Sequence, residues 1–221
     1  MKRKCAQKAC ELIQNGMTIA LGGGSTILLL IEEIKRKNLQ VQIATPSVLT
    51  KQACLAQEIP VLSLEDTAQL DLAFDGCDEV DQQLNALKSC GGIHTREKLV
   101  AKMAKEYLLL ADNYKYHQEL SFKHPICLEV LPSAKSYVLD QLAKLGVKVV
   151  IREAKHKIGW QLSDDGNYLL DAYFKQPKNL AVFNTFLNEL PGVVGHSFFY
   201  QIATQAIVAD ENQVQWMVKE K

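Results

Sequence analysis

The sequence predicts an α/β fold: a parallel sheet alternating with helices, interrupted before its last strands by a smaller α+β unit. Three observations predict it. Short strands apolar on both faces alternate with helix-like stretches through the first half, the rhythm of parallel βα units. From about Phe122 that rhythm gives way to a β-α-β-β-α-β order, the split βαβ pattern of a ferredoxin-like unit. Beyond Tyr200, two more strand-like segments return to the first pattern. The 221 residues suffice for such a pair of units, expected at 1–121 with 201–221 and at 122–200.

The elements follow in order. Cys5, Ala6, Ala9, Cys10, Leu12 and Ile13 share one helical face ahead of the stop signal Asn15-Gly16. Met17 to Leu21 reads as a strand, Gly22-Gly23-Gly24 as a turn, and Ser25-Thr26 opens a helix to about Lys37. Strands are expected at Val41 to Ala44, Val61 to Leu64, Leu70 to Phe74 and Leu108 to Ala111, with a helix over Thr95 to Glu106. The second unit places strands at Ile126 to Val130, Val147 to Ile151, Tyr168 to Phe174 and Val193 to Tyr200. Its helices run over Ser133 to Leu145 and Asn179 to Leu190, and Asp164-Asp165-Gly166-Asn167 marks a turn. Ala206 to Ala209 and Val214 to Val218 complete the first sheet.

Composition narrows the function. The 25 basic and 25 acidic residues cancel, so no global field favours nucleic acid or an anionic membrane. The apolar run Ile27-Leu28-Leu29-Leu30-Ile31 falls far short of a membrane span. Gln7, Lys8 and Glu11 interrupt what would be the apolar region of a signal peptide, so a cytoplasmic protein is expected. Six scattered cysteines with no CxxC pair suggest neither a zinc site nor a disulfide scaffold.

Three segments carry chemistry. Gly22-Gly23-Gly24-Ser25-Thr26 lets backbone amides approach an anion at a helix N-terminus, with two hydroxyls added; it reads equally as a capped glycine turn. The spacing lacks the third glycine of a dinucleotide fingerprint and the lysine of a Walker A loop. Asp75-Gly76-Cys77-Asp78-Glu79-Val80-Asp81 crowds four carboxylates at a strand's carboxyl end, where ligands bind in open α/β sheets; Asp75 and Asp78 suit sugar hydroxyls, or simply an acidic turn. Lys88-Ser89-Cys90-Gly91-Gly92 leads into a second helix with Glu97 in its first turn. Glu97 is either a helix-dipole partner or a proton carrier, and Lys88 can face a developing oxyanion. Arg96 and Lys98 read as a solvated face or salt-bridge partners. Together the loops hold what proton abstraction beside a sugar-phosphate carbonyl requires.

The blocks GGGST, DGCDEVD and KSCGGIHTREKLVA, in this order and spacing, resemble those of the type A ribose-5-phosphate isomerases, roughly GTGST, DGADE and KGGGAALTREK. The resemblance covers essentially the whole chain. It implies a Rossmann-like domain with a smaller α+β lid, and metal-free, cofactor-free interconversion of D-ribose 5-phosphate and D-ribulose 5-phosphate within the pentose phosphate pathway. A homodimer or homotetramer is implied as well. Glu97 matches the proton-transferring carboxylate, Asp75 and Asp78 the substrate-binding acids, and Lys88 the active-site lysine. Gly23, Gly24, Ser25 and Thr26 match the first loop, Gly76 and Cys77 the second, and Ser89, Cys90 and Gly91 the third. Lys115 matches a substrate-contacting lysine and Lys2 a basic residue that meets the phosphate. The chain departs from the pattern at Gly23 (usually Thr), at Ser89 and Cys90 (usually Gly) and at His94 (usually apolar). A non-catalytic sugar-phosphate-binding regulatory domain, or an inactive relative, is the alternative.

Overall fold

The computed structural model describes residues 1–219; residues 220–221, the end of the expected 201–221 segment, lie outside the described residues. The chain opens with α1 (Lys2–Cys10), β1 (Thr18–Leu21), α2 (Ser25–Arg36), β2 (Gln42–Ala44), α3 (Val48–Ala56) and β3 (Leu70–Gly76). Two short strands follow, β4 (Glu79–Val80) and β5 (Ala86–Leu87), then α4 (His94–Met103) and β6 (Ala104–Asp112). The second unit comprises β7 (Ile126–Val130), α5 (Lys135–Lys144), β8 (Lys148–Ile151), β9 (Tyr168–Tyr173), α6 (Leu180–Glu189) and β10 (Val193–His196). The chain ends with β11 (Phe198–Phe199), β12 (Gln205–Ala209) and β13 (Val214–Val218).

The main sheet has the order β13-β12-β6-β3-β1-β2 and is parallel apart from the antiparallel edge strand β13. Alternation along β1 sends Ile19 and Leu21 into one core and Ala20 into another, so helices cover both faces. Small residues on α1 (Cys5, Ala6, Ala9, Cys10) are buried in the first core. The second sheet, β10-β7-β9-β8, is wholly antiparallel, and its apolar face is closed by Val138 and Leu142 of α5 and Leu187 of α6. This is the α/β architecture with a ferredoxin-like unit that the sequence predicts. Both crossings between the sheets pass through non-glycine residues in left-handed backbone, Phe122 (φ 52°) and Gln201 (φ 52°).

Three expected elements differ. Val61 to Leu64 is no strand: only Val61 bridges to Ile43, because Pro60 has no amide to donate and Ser63 turns the chain by bonding Glu65 and Thr67. The helix after the third loop stops at Met103 rather than Glu106, since Ala104 and Glu106 pair with Leu70 and Leu72 and tertiary pairing outweighs helix propensity. Val193 to Tyr200 splits at buried Ser197, whose N–H donates to Cys127 O and whose C=O accepts from Lys88 N. That handover moves Phe198–Phe199 into a third sheet, β11-β5-β4, which ends at Lys88.

Around β1 the strand order reverses, with β2 on one side and β3 on the other. A crevice therefore opens at the carboxyl ends of β1 and β3, where the first two loops leave the sheet.

Candidate functional site

A cleft of about 540 Å³ occupies that crevice. Gly23, Gly24, Ser25 and Thr26 form one wall, Gly76, Cys77 and Asp78 the floor, and Lys88, Cys90, Gly91 and Glu97 the opposite wall; Lys2 and Lys115 also line it.

The first wall suits an anion. Gly24 has φ +98°, which only glycine adopts cheaply, and this turns the chain into α2 so that its first amides and hydroxyls face the cleft. Lys2 Nζ donates to Ser25 Oγ at 2.8 Å, placing an ammonium at the same helix end. On the floor, Lys115 Nζ donates to Cys77 O at 2.6 Å, and Asp78 Oδ2 accepts from Cys90 N at 2.9 Å. Burial pushes the Cys77 thiol up to about 12 and the Cys90 thiol up to about 11, so neither is an activated nucleophile.

At the centre Lys88 Nζ lies 3.0 Å from Asp75 Oδ1 and 3.3 Å from Glu97 Oε1 and donates to Gly76 O. All three side chains are buried, with exposures of 1% for Asp75, 6% for Lys88 and 5% for Glu97. Two carboxylates and one ammonium in a dry pocket favour holding one extra proton. Asp75 receives donors from Lys88, from Gly76 N at 2.8 Å and from Tyr107 Oη at 3.3 Å, whereas Glu97 has Lys88 alone. Burial pushes both acids up, and the extra donors leave Asp75 the better holder of negative charge. Glu97 is pushed up to about 8 by burial first and the Asp75 charge second, with Lys88 pulling the other way. Burial works against the Lys88 ammonium, yet the two carboxylates outweigh it and hold Lys88 above the ordinary lysine value.

Two expected residues lie off the cleft lining. Asp75 is buried beside the cleft, its oxygens meeting Lys88, Gly76 N and Tyr107 Oη. Ser89 also stays out of the cleft, with its hydroxyl 3.3 Å from Ser197 Oγ in the interior. The departures from glycine at Ser89 and Cys90 carry no strain, because neither has a positive φ; Gly92 (φ +71°) is the glycine this loop needs. Sequence reading missed Ser47, which caps α3 by accepting from Thr50 N and lines the cleft. Its position after a strand and Pro46 was a legible N-cap signal. Tyr107 and Arg152 were missed too; Arg152 Nη2 donates to Ser89 O and to Asp171 Oδ1 (2.7 Å).

Lys98 is no solvated residue. It donates to Phe198 O at 3.2 Å, sits over the Phe199 ring and adjoins His196. Among the described residues, neither ring nitrogen of buried His94 has a hydrogen-bond partner; the Gly195 backbone lies nearby without reaching bonding geometry. Burial, then the Lys98 charge, depresses His94 to about 3 and His196 to about 2. Unfolded, both titrate near 6.5, so as pH falls below that value the unfolded chain takes up protons the folded one refuses, and stability declines. His94→Leu is expected to raise stability in urea unfolding, with the gain at pH 5 exceeding that at pH 7.5 by up to about 2 kcal/mol. An equal gain at both values would exonerate His94.

The family described as Ribose 5-phosphate isomerase A (phosphoriboisomerase A) matches residues 42–213. The family described as DeoR C terminal sensor domain matches residues 1–68. Ribose-5-phosphate isomerase A of Prochlorococcus marinus (strain NATL1A) is 37% identical over 217 residues, covering 94% of this chain and 91% of the relative. The solved structure of ribose 5-phosphate isomerase A from Methanocaldococcus jannaschii superposes with a TM-score of 0.91 at 34% identity, over 99% of this chain and 98% of that one. A D-ribose-5-phosphate isomerase solved in complex with phospho-erythronic acid gives 0.92 at 31% identity, over 98% and 97%.

Proposed function

The chain belongs to the ribose 5-phosphate isomerase A family and interconverts D-ribose 5-phosphate and D-ribulose 5-phosphate, and we propose that it does so through a cis-enediolate with Glu97 moving the proton. The substrate phosphate is bound by the α2 amides, Ser25, Thr26 and Lys2. Asp78 binds sugar hydroxyls and assists ring opening, and Lys115 steadies the floor beneath them.

With the open-chain aldose in place, ionised Glu97 takes the C2 proton. The C–H electron pair forms the C1–C2 double bond, and the carbonyl pair moves onto O1, where the Lys88 ammonium meets the charge. Glu97 returns its proton to C1 while the O2–H proton passes to O1, directly or by way of water, so that the C2 carbonyl forms and O1 becomes a hydroxyl. One carboxyl serves both carbons because they are adjacent. Asp75 keeps Lys88 charged and aimed. The observation that carries this reading is Lys88 held between Asp75 and Glu97 at one end of a cleft whose other end is an anion-binding helix terminus. A solved relative is in complex with phospho-erythronic acid; on this reading such a ligand would set its phosphate at α2 and its carboxylate, in place of the enediolate oxygens, at Lys88.

A sensor without catalysis would need the first loop but not Lys88 and Glu97, and the DeoR match ends before both. Incubation with ribose 5-phosphate should yield the ketose by NMR, at the same rate with EDTA present. No ketose would overturn the reading, and loss in EDTA restored by a divalent ion would overturn its metal-free form.

We take residues 122–200 as the small unit and the rest as the sheet domain, a division supported by the left-handed Phe122 and Gln201 at the two crossings. Ile158, Trp160 and Leu162, exposed on one short segment of that unit, support self-association as a homodimer or homotetramer. Six free thiols support a cytoplasmic setting.

A further inference from the structure

Helix α4, which carries Glu97, is gripped from the small unit as well as from the sheet beneath it. Thr95 Oγ1 donates to Glu129 Oε2, Arg96 Nη2 pairs with Asp165 at 2.5 Å, and Lys98 Nζ donates to Phe198 O. Glu129 sits on β7 with 2% exposure. Ser163 Oγ at 2.6 Å and Asn167 Nδ2 at 2.9 Å donate to its other oxygen. All three of its donors are neutral. The β10 backbone closes on the same spot: a Cβ added at Gly195 would lie 2.4 Å from Thr95 Oγ1.

Resting on the reading of Glu97 as the base, we propose that Glu129 is a positioning residue for the isomerisation, holding the first turn of α4 through Thr95 so that the Glu97 carboxyl stays beside Lys88. Among the described residues the Glu97 carboxyl makes a single polar contact, at 3.3 Å, so its own side chain does little to fix where it stands. Its placement comes from the backbone that carries it. Residues two apart on a helix point about 200° apart, so Thr95 faces the small unit while Glu97 faces the cleft. A directional bond on the far side fixes the rotation of the helix as well as its distance. An apolar contact would let the turn slide, and a displacement of about 1 Å at a reacting group costs on the order of 100-fold in rate. A buried carboxylate is expensive without donors, so the Thr95, Ser163 and Asn167 set also ties the 163–167 turn to the same anchor.

The test compares full-length Thr95→Val, Thr95→Ser and Glu129→Gln with the unmodified protein and with Glu97→Gln, by kcat, KM and the acid limb of kcat/KM. Thr95→Val and Glu129→Gln should each lower kcat about 10-fold to 100-fold with KM within about twofold. Their acid limb should move to lower pH, because a loosened Glu97 is less deeply buried. Thr95→Ser, which keeps the hydroxyl, should restore both. Should Glu129→Gln fail to fold, the Thr95 pair decides. A Thr95→Val protein with unchanged kcat, or with lower kcat and an unmoved acid limb, overturns the proposal. Full activity in Glu97→Gln would instead overturn the reading of the base.

Discussion

Glu97→Gln is expected to lower kcat by about 10² to 10⁴ while KM for ribose 5-phosphate stays within about threefold. The amide keeps the size of the side chain and the anion wall is untouched, so binding persists; what disappears is the cleft-lining carboxylate that stands beside Lys88. The loss corresponds to about 3–5 kcal/mol of transition-state stabilisation. The pH profile should identify the same group. With Glu97 pushed up to about 8, the free enzyme holds the base protonated at lower pH, and kcat/KM should fall about tenfold per unit below that value. The residual activity of Glu97→Gln should lack this limb. Stability should move oppositely: a folded value above the unfolded one means the folded chain binds the extra proton between about 4.5 and 8 and loses stability as pH rises through that window. Glu97→Gln should therefore unfold no more easily than the unmodified protein at pH 8. Turnover within threefold of normal would exclude Glu97 as the base.

What the sequence showed of this site follows from which interactions are local. Gly23 to Thr26, and Cys90, Gly91 and Glu97, stand at loop-to-helix junctions whose glycines, hydroxyls and charges act within a few residues, and their place beside the cleft was legible. The alternation of strands and helices fixed the sheet, and the crevice with it. The role of Asp75 was not legible. Its residue type suits sugar hydroxyls, and only the arrival of Lys88 from the third sheet and Tyr107 from β6 shows the protein donors its oxygens meet. The same holds for Ser89, turned inward by Ser197 more than a hundred residues away, and for Glu129, an ordinary glutamate in a strand until the 163–167 turn and α4 close over it. The end of α4 was misplaced because Lys105–Glu106 favour a helix locally and pair as a strand globally. Long-range pairing decided each of these four, whereas Ser47 and the Val61 to Leu64 turn rest on local signals.

The three glycines of the first loop should respond to alanine in three different ways, and Gly22 most severely. A Cβ at Gly22 would lie 2.0 Å from Asp75 Oδ1 and 2.1 Å from Asp75 Cγ. Asp75 cannot swing aside, because Lys88, Gly76 N and Tyr107 hold it and burial denies it solvent. Gly22 is also pinned, its N–H bonded to Phe74 O at 2.9 Å and its C=O to Thr50 Oγ1 at 2.7 Å. Something must give: either β1 separates from β3, or Asp75 leaves Lys88. Overpacking of this kind costs about 1–3 kcal/mol and can cost more. If Asp75 moves by about 1 Å, Lys88 loses its aim and kcat/KM should drop about 100-fold or more. At Gly23 the nearest atom to an added Cβ is 3.6 Å away and φ is not positive, so Gly23→Ala should change kcat/KM by less than about threefold, within the ±0.5 kcal/mol of an uncrowded substitution. Gly24 has open space but φ +98°, so Gly24→Ala should cost about 1–3 kcal/mol of backbone strain without a steric clash. Urea midpoints and kcat/KM for the three variants separate these causes. A Gly22→Ala protein that folds and turns over within threefold of normal would mean that Asp75 does not sit against β1, and the support assigned to Lys88 would fall with it.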